Sequence, residues 1–470
     1  MTRTNDNGRD GAESEAIANP LGTEKISKLL PRFALPSVIA MLTGALYNIA
    51  DQVFIGRKVG YLGMGATNVD MPIAMIALAA GLLFGVGGAA NFSLSLGAGD
   101  QKKAARYMGG SVLWMAVFGI GIMLGVQLFL EPLVITLGAS GEVLPYSLVY
   151  SGIVAWGLPA AVMSFGMNHL IRADGSPGFA MFSTIAGCCL NISLDAVLMY
   201  GFDMGVAGAA WATTISQYLT LFLGLYYMIR KGRVRLTPEI MRPYAGITLR
   251  ILSIGAAAFF NQLTFSAVQV ALNKTLTHYG AQSQYGADIP LAAVGAVLKV
   301  NMLFMSVVIG VSQGCQPIIG FNYGARRYGR VRKAYMLAAV ISMSVSTLAF
   351  ICYQLFPGVL AGIFNSDDAM FQAFAVRSFR VLLMLSFLSG IQPVTSNFFA
   401  SIGKAFISVF ISLTRQFIFF LPLLFIFPRV WGIDGVLYAS PAADLAAFIA
   451  AVVLVVRELR KIKSLEGLRV

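Results

Sequence analysis

Apolar segments of about 20 residues, the length that crosses roughly 30 Å of hydrocarbon, recur along the chain from residue 31 to residue 457. Twelve are predicted, at 31–53, 67–96, 107–130, 146–170, 178–200, 205–229, 247–275, 290–320, 334–356, 376–400, 405–427 and 433–457. Lipid offers the backbone no hydrogen-bond partners, so segments of this length must cross as helices. Composition agrees: 57% of the 470 residues are hydrophobic and 12% charged, with a mean hydropathy of +0.75, against about 25% charged residues in soluble domains. The expected class is an all-α polytopic membrane protein with 12 transmembrane helices.

The first 30 residues, MTRTNDNGRDGAESEAIANPLGTEKISKLL, are polar and mixed in charge. A flexible cytoplasmic tail is expected there, not a cleaved signal peptide, which would carry an apolar core. Orientation follows from basic residues in alternate connections. Sixteen Lys and Arg fall in the even-numbered connections, among them Lys102, Lys103, Arg230, Lys231, Arg326 and Lys404, against five in the odd ones, Arg57, Lys58, Lys274, Arg377 and Arg429. Both termini are therefore expected on the cytoplasmic side of a plasma membrane, with a short basic tail at 461–470. The net charge of +13 is then a topology signal; no basic soluble domain studded with aromatics is present to bind nucleic acid. Cys188, Cys189, Cys315 and Cys352 fall in apolar segments without metal-type spacing and read as buried thiols.

Laid over itself at an offset of 225–228 residues, the chain brings punctuation into register. Gly99 falls over Gly324, Pro132 over Pro357, Gly175 over Gly403, and Gly205-Val-Ala-Gly over Gly432-Ile-Asp-Gly. Two six-helix lobes are predicted, 31–235 and 236–460, related by an axis along the membrane normal because each repeat holds an even number of spans. Two lobes rocking about a central cavity is an alternating-access architecture.

The energy source is constrained by what is missing. An ATP-driven pump needs a GxxxxGK[ST] phosphate loop, and the nearest stretch, ASIGKAF at 400–406, lacks the first glycine and the Ser/Thr. An ion gradient remains, read by acids inside the membrane. Asp51, in YNIADQVFIG, and Asp195, in CCLNISLDAVLMYG, each sit in apolar sequence at a cost of roughly 2.5–3.5 kcal/mol at a helix centre. Both fall in the outer half of their spans, so two acids of one lobe are expected at one level. Asn191 precedes Asp195 by one helical turn and shares its face, and Thr213 and Thr214 fall in the outer-to-middle part of the sixth span. Carboxylate, amide and hydroxyl oxygens suit a small hard cation. The same group suits a proton, since desolvation and a neighbouring like charge both favour a neutral carboxyl. A hydrogen-bonded cluster that only holds the helices together is the competing structural reading.

The run FALPSVIAMLTGALYNIADQVFIGRKVG resembles the first helix of the multidrug and toxic compound extrusion (MATE) family. LNISLDAVLMYGFDMGVAGAAWATTISQ is similar to that family's fifth and sixth helices, and GVSQGCQPIIGFNYGARRYGRVRKAY to the eighth helix and following loop of its MepA-like bacterial branch. The resemblance covers nearly all of the chain after residue 30. It implies cation-coupled export of amphipathic, often cationic compounds, with the cation site on Asp51, Asn191, Asp195 and Thr213, and either sodium or protons as coupling ion. Acids that some relatives carry on the seventh and tenth helices are absent here, where Asn261, Gln262, Gln392 and Asn397 stand instead.

Three further charges fall in C-lobe spans: Lys299, Arg415 and Asp444. The structural reading, with the cations paired to carbonyls or to Asp444, is favoured over direct coupling through Asp444. Asp70, at the outer start of the second span, reads as a solvated acid or an attractor of cationic substrate. Tyr47, Asn48, Asn68, Gln262, Asn301 and Gln392 are candidates for the substrate cavity. No cofactor and no metal are expected, no nucleophile and base point to an enzyme, and the expected partners are a small-molecule substrate and the bilayer, with the protein a monomer. The alternatives are a flippase for lipid-linked oligosaccharides, which cavity-facing Lys299 and Arg415 would favour, and a non-concentrative channel or membrane sensor.

Overall fold

The computed structural model describes residues 20–139, 141–364 and 369–467. Twelve long helical segments follow in the predicted order. They are α1 (Ile26–Lys58), α2 (Tyr61–Gly97), α3 (Gln101–Leu128), α4 (Val143–Ala173), α5 (Pro177–Asp195, continued by a wide π-helical turn, Ala196–Gly201) and α6 (Gly205–Tyr226, continued by Tyr227–Lys231). The second half holds α7 (Ala245–Ala281), α8 (Asp288–Gly324), α9 (Tyr328–Leu355), α10 (Ala369–Leu382 and Ile391–Ser401), α11 (Ala405–Leu413, a π-helical stretch Thr414–Phe420, then Leu421–Trp431) and α12 (Ile433–Gly467). Among the described residues ten helices are long and apolar enough to cross a membrane, and α10, bent by 45°, makes an eleventh if its halves are one span. α6 stands outside that set because Thr213, Thr214, Ser216 and Gln217 interrupt its apolar sequence. Local signals set several boundaries: Asp100 caps α3 by accepting from the Lys103 N–H at 2.9 Å, Pro177 opens α5, and Gly60, at φ 78°, turns the chain between α1 and α2.

Both terminal expectations change. The tail expected over 1–30 lies outside the described residues as far as residue 19, but residues 20–30 are folded. Pro20–Thr23 forms a short helix, α1 starts at Ile26, and Leu21, Leu29 and Leu30 are buried. Arg330 donates to the carbonyls of Leu21 and Glu24 at 3.0 and 2.7 Å, and Arg327 to that of Gly22 at 2.6 Å. Apolar side chains one turn apart on this stretch supply the burial that its polar neighbours hide from a hydropathy scan. At the other end α12 runs through the expected tail to Gly467, with Ile462 buried. Of the four cysteines only Cys315 is buried; Cys189 is exposed on α5.

Helices α2 to α4 pack about Phe84, Phe92, Met108, Met115 and Leu158, and α7 to α12 about Leu272, Val297, Tyr353, Phe374 and Phe379. A further core, Leu29, Phe33, Cys315, Tyr335 and Phe398, seats the start of α1 on α8, α9 and α10. The two halves meet through glycines. A Cβ on Gly97 of α2 would stand 1.9 Å from the Phe321 carbonyl oxygen of α8, and one on Gly324 would stand 2.1 Å from the Leu94 carbonyl oxygen of α2. The contact is reciprocal, as a two-fold relation requires. The shift that lays Gly97 on Gly324 also lays Gly99 (φ 80°) on Arg326 (φ 55°) and Gly205 (φ 54°) on Gly432 (φ 56°), and brings Gly175 (φ 99°) within one residue of Gly403 (φ 79°). The sequence pairing of Gly99 with Gly324 is thus corrected by two residues: backbone conformation, not residue type, carries the repeat.

The contacts between halves concentrate toward the face where α1 begins and α12 ends. Gly310 and Gly314 of α8 lie against Val38 and Ala34 of α1, and Gly87 of α2 lies against Ile251 of α7. Trp114 donates to Thr248 at 2.9 Å and Asn91 to the Arg250 carbonyl at 3.2 Å. Followed toward the opposite face, the same helix stripes become exposed: Asn68, Pro72 and Ile76 on α2, and Ala292, Lys299 and Met302 on α8. Lys299 lies about three turns from Gly310, hence on the stripe that faces the other half. A cleft between the halves therefore opens away from the termini-bearing face.

Candidate cation-coupling site

Helices α1, α5 and α6 each have one end on the cleft-opening face, and their candidates sit at nearly one depth. Asp51 lies about two turns before the end of α1, Asp195 about two turns before the end of the α5 π-turn, and Thr213 about two turns into α6; at 1.5 Å per residue all fall on the order of 9–12 Å below those ends. Asp51 is 7% exposed, Asn191 2%, Asp195 0% and Thr213 8%.

Asn191 links two of them. With its nitrogen toward Asp195, the amide donates to Asp195 Oδ2 at 3.1 Å and accepts from the Thr213 N–H at 3.2 Å. Tyr47 lies beside Thr213 and interacts electrostatically with Asp51 and Asp195, which also interact with each other. Asp51 Oδ1 and Asp195 Oδ1 are buried without a hydrogen-bond partner among the described residues. Buried carboxylates are normally fully paired, and these two oxygens are exceptions that lie in one layer. Asp195 is the last α-helical residue of α5 before the wider turn, a local irregularity common at functional sites.

The surrounding structure fixes these side chains. Gln52 donates to Thr67 Oγ1 at 3.2 Å, joining α1 to α2, and Thr214 donates to the Ile153 carbonyl at 3.4 Å, joining α6 to α4. Toward the cleft-opening face Ile55, Ala66, Met199 and Ala210 belong to one apolar cluster. Beyond it Lys58 pairs with Asp203 at 2.7 Å and lies 5.4 Å from the Tyr200 ring. The Lys58 ammonium holds the exposed Asp203 carboxyl below the usual carboxylate range.

The remaining candidates divide. Asn48 and Asn68 are exposed and Tyr47 and Gln262 half-buried, with Gln262 donating across the halves to Met75 Sδ at 2.9 Å. Asn301 and Gln392 are not brought to the cleft: Asn301 accepts from the Tyr353 hydroxyl at 3.4 Å, and Gln392 donates to the Ile411 carbonyl at 2.8 Å, both within the second half. Arg415, on the π-helical stretch of α11, forms a close ion pair with buried Asp444 of α12. Lys299 is exposed on the cleft stripe and makes no salt bridge among the described residues. Sequence reading passed over Tyr150 and placed Asp70 too near the surface. Tyr150, 6% exposed, interacts electrostatically with Asp51, Asp70 and Asp195. Asp70, expected as a solvated acid or an attractor of cationic substrate, is 4% exposed, because α2 starts at Tyr61 and carries it well inside the helix.

The MatE family model matches the chain twice, at residues 36–197 and 257–426, once in each half. The chain belongs to the MATE family. It is a multi-pass membrane transporter and not an enzyme. Among characterised relatives, this MATE transporter is 27% identical over 434 residues to the multidrug export protein MepA of Staphylococcus aureus, covering 92% of this chain and 93% of that protein. It superposes at a TM-score of 0.84 and 25% identity on a multidrug-resistance MATE family transporter solved in an outward-facing conformation, over 94% of this chain and 97% of that one. It shares its fold also with a transporter of the MOP superfamily from Pyrococcus furiosus, at a TM-score of 0.86 and 24% identity over 94% and 98% of the two chains.

Proposed function

We propose that this MATE transporter is a secondary active exporter of amphipathic organic compounds, cationic ones foremost, driven by a proton or sodium gradient through Asp51, Asn191, Asp195 and Thr213. The carrying observation is the pair of buried carboxylates with unpartnered oxygens in one lobe, on the side toward which the cleft opens. Export by the similar MepA proteins supports the direction and the substrate class.

In this reading the lobes are 31–235 and 236–460, and the termini-bearing face is cytoplasmic, in keeping with the basic residues of its connections. The cleft then faces outward. An ion from outside reaches Asp51 and Asp195, and its binding pulls α1, α5 and α6 together through Asn191 and Tyr47. That repacking alters the wall of the cleft and releases substrate; the return to the inward-open state carries the ion in. A ligand moves such an equilibrium only by its differential affinity for the two states, and each charge crossing 100 mV supplies about 2.3 kcal/mol.

The test is efflux of a fluorescent cationic dye from proteoliposomes with pH and sodium gradients imposed separately. One gradient, or each alone, accelerates efflux; equal rates with and without both gradients sink the proposal. Lys299 on the cleft stripe favours one second reading, recognition of a substrate bearing an anionic group, as in a lipid-linked sugar flippase. Arg415 gives it no support, being paired with Asp444. Lys299→Gln unchanged in transport of every anionic amphiphile tried removes it.

A further inference from the structure

Asp70 belongs to no function described so far, yet it is built into the same layer. On α2 it lies about three turns from Gly81, on the stripe packed against α4: a Cβ on Gly81 would meet the Val162 carbonyl oxygen at 2.8 Å, and one on Gly85 would meet Gly166 Cα at 2.5 Å. Ser151 lies about three turns from Val162 on α4, so Asp70 and Ser151 continue the register of those two crossings. They do face each other. Both are buried, at 4% and 1% exposure, and among the described residues Asp70 Oδ1 and Ser151 Oγ have no partner in hydrogen-bond geometry. Next to Ser151, Tyr150 interacts electrostatically with Asp70 on one side and with Asp51, Tyr47 and Asp195 on the other.

From these positions we infer that Asp70 is a second proton-binding carboxylate of the coupling machinery, joined to Asp51 through Tyr150. The inference rests on the coupling role proposed for Asp51 and Asp195. Three carboxylates in one buried layer cannot all stay ionised without a compensating charge. Among the described residues the groups that interact with Asp70 supply none: α4 offers Ser151 and Tyr150, and Tyr150 in turn interacts with the acids Asp51 of α1 and Asp195 of α5. Glu131 and Glu142 of the α3–α4 connection are exposed. Of the two basic groups at this end of α1, Arg57 is exposed and Lys58 is engaged by Asp203; Lys299 of α8 faces the cleft. A proton on Asp70 gives the carboxyl a donor for Ser151 Oγ; without it, the Ser151 hydroxyl turns to donate to the carboxylate. Ser151 therefore accepts either state, and Tyr150, whose hydroxyl both donates and accepts, serves as the link.

The experiment counts protons per dye. Proteoliposomes holding pyranine are loaded with ethidium, and proton entry and ethidium exit are followed together for wild type, Asp70→Asn, Asp70→Ser, Asp70→Glu and Asp51→Asn. Asp70→Asn and Asp70→Ser should keep gradient-driven export with one proton fewer per ethidium and a shallower pH profile, and Asp70→Glu should restore the wild-type ratio. Either neutral variant suffices if the other is not recovered in the membrane. A wild-type ratio in the neutral variants overturns the inference, as does loss of ethidium counterflow together with coupling, the mark of a structural role. A wild-type ratio in Asp51→Asn overturns instead the coupling proposal beneath it.

Discussion

Asp195 has no solvent contact, one oxygen held by Asn191 and the other without a partner, whereas Asp444, equally buried, is paired with Arg415. The same residue type thus does two jobs. Paired, it costs a great deal to disturb: removing one member of a buried ion pair leaves a bare charge in low dielectric. Arg415→Met should destabilise the protein by about 3 kcal/mol, seen as a lowered midpoint in detergent, and Arg415→Met with Asp444→Leu should recover most of it. A double variant no more stable than Arg415→Met would show that the pair is not the source. Asp51 and Asp195 were legible because each interrupts a long apolar run. Asp70 was not, because it stands at the edge of the predicted segment 67–96, and only the extra turns of α2 from Tyr61 reveal its depth.

At the scale of elements, the close crossing of α2 and α8 depends on Gly97 and Gly324, where a Cβ would lie about 2 Å from a facing carbonyl oxygen, well inside van der Waals contact. Gly97→Val or Gly324→Val should force the lobes apart at the termini-bearing ends and deplete the conformer with the open cleft. Spin labels at Met64 of α2 and Ala292 of α8, both exposed near the cleft mouth, should report a shortened or broadened distance distribution; an unchanged one would mean that the crossing does not set the conformation. The order of the helices was legible from hydropathy, and punctuation placed the repeat only to within two residues, because positive φ and not residue type carries it. The break in α10 and the wide turns of α5 and α11 were not, since a helix that widens by one residue keeps the same apolar composition. The fold of residues 20–30 escaped for a related reason: it arises from carbonyls meeting Arg327 and Arg330 some three hundred positions away.

At the scale of the molecule, one half holds acids with unpartnered oxygens on the open side of a cleft sealed at the other end by glycines, while in the other half the buried acids of α12, Asp444 and Glu458, pair with Arg415 and Lys404. That asymmetry is what an antiporter with its ion site in one lobe requires: ion binding need only bias the packing of α1, α5 and α6 to move the balance between cleft-open and cleft-closed states. The claim separates coupling from movement. Its most direct test compares ion-gradient-driven efflux with substrate counterflow in the same proteoliposomes for Asp195→Asn. Gradient-driven efflux should fall at least tenfold, about 1.4 kcal/mol or more of lost driving force by the usual conversion, while counterflow stays within twofold of wild type. Gradient-driven efflux at the wild-type rate would contradict the account.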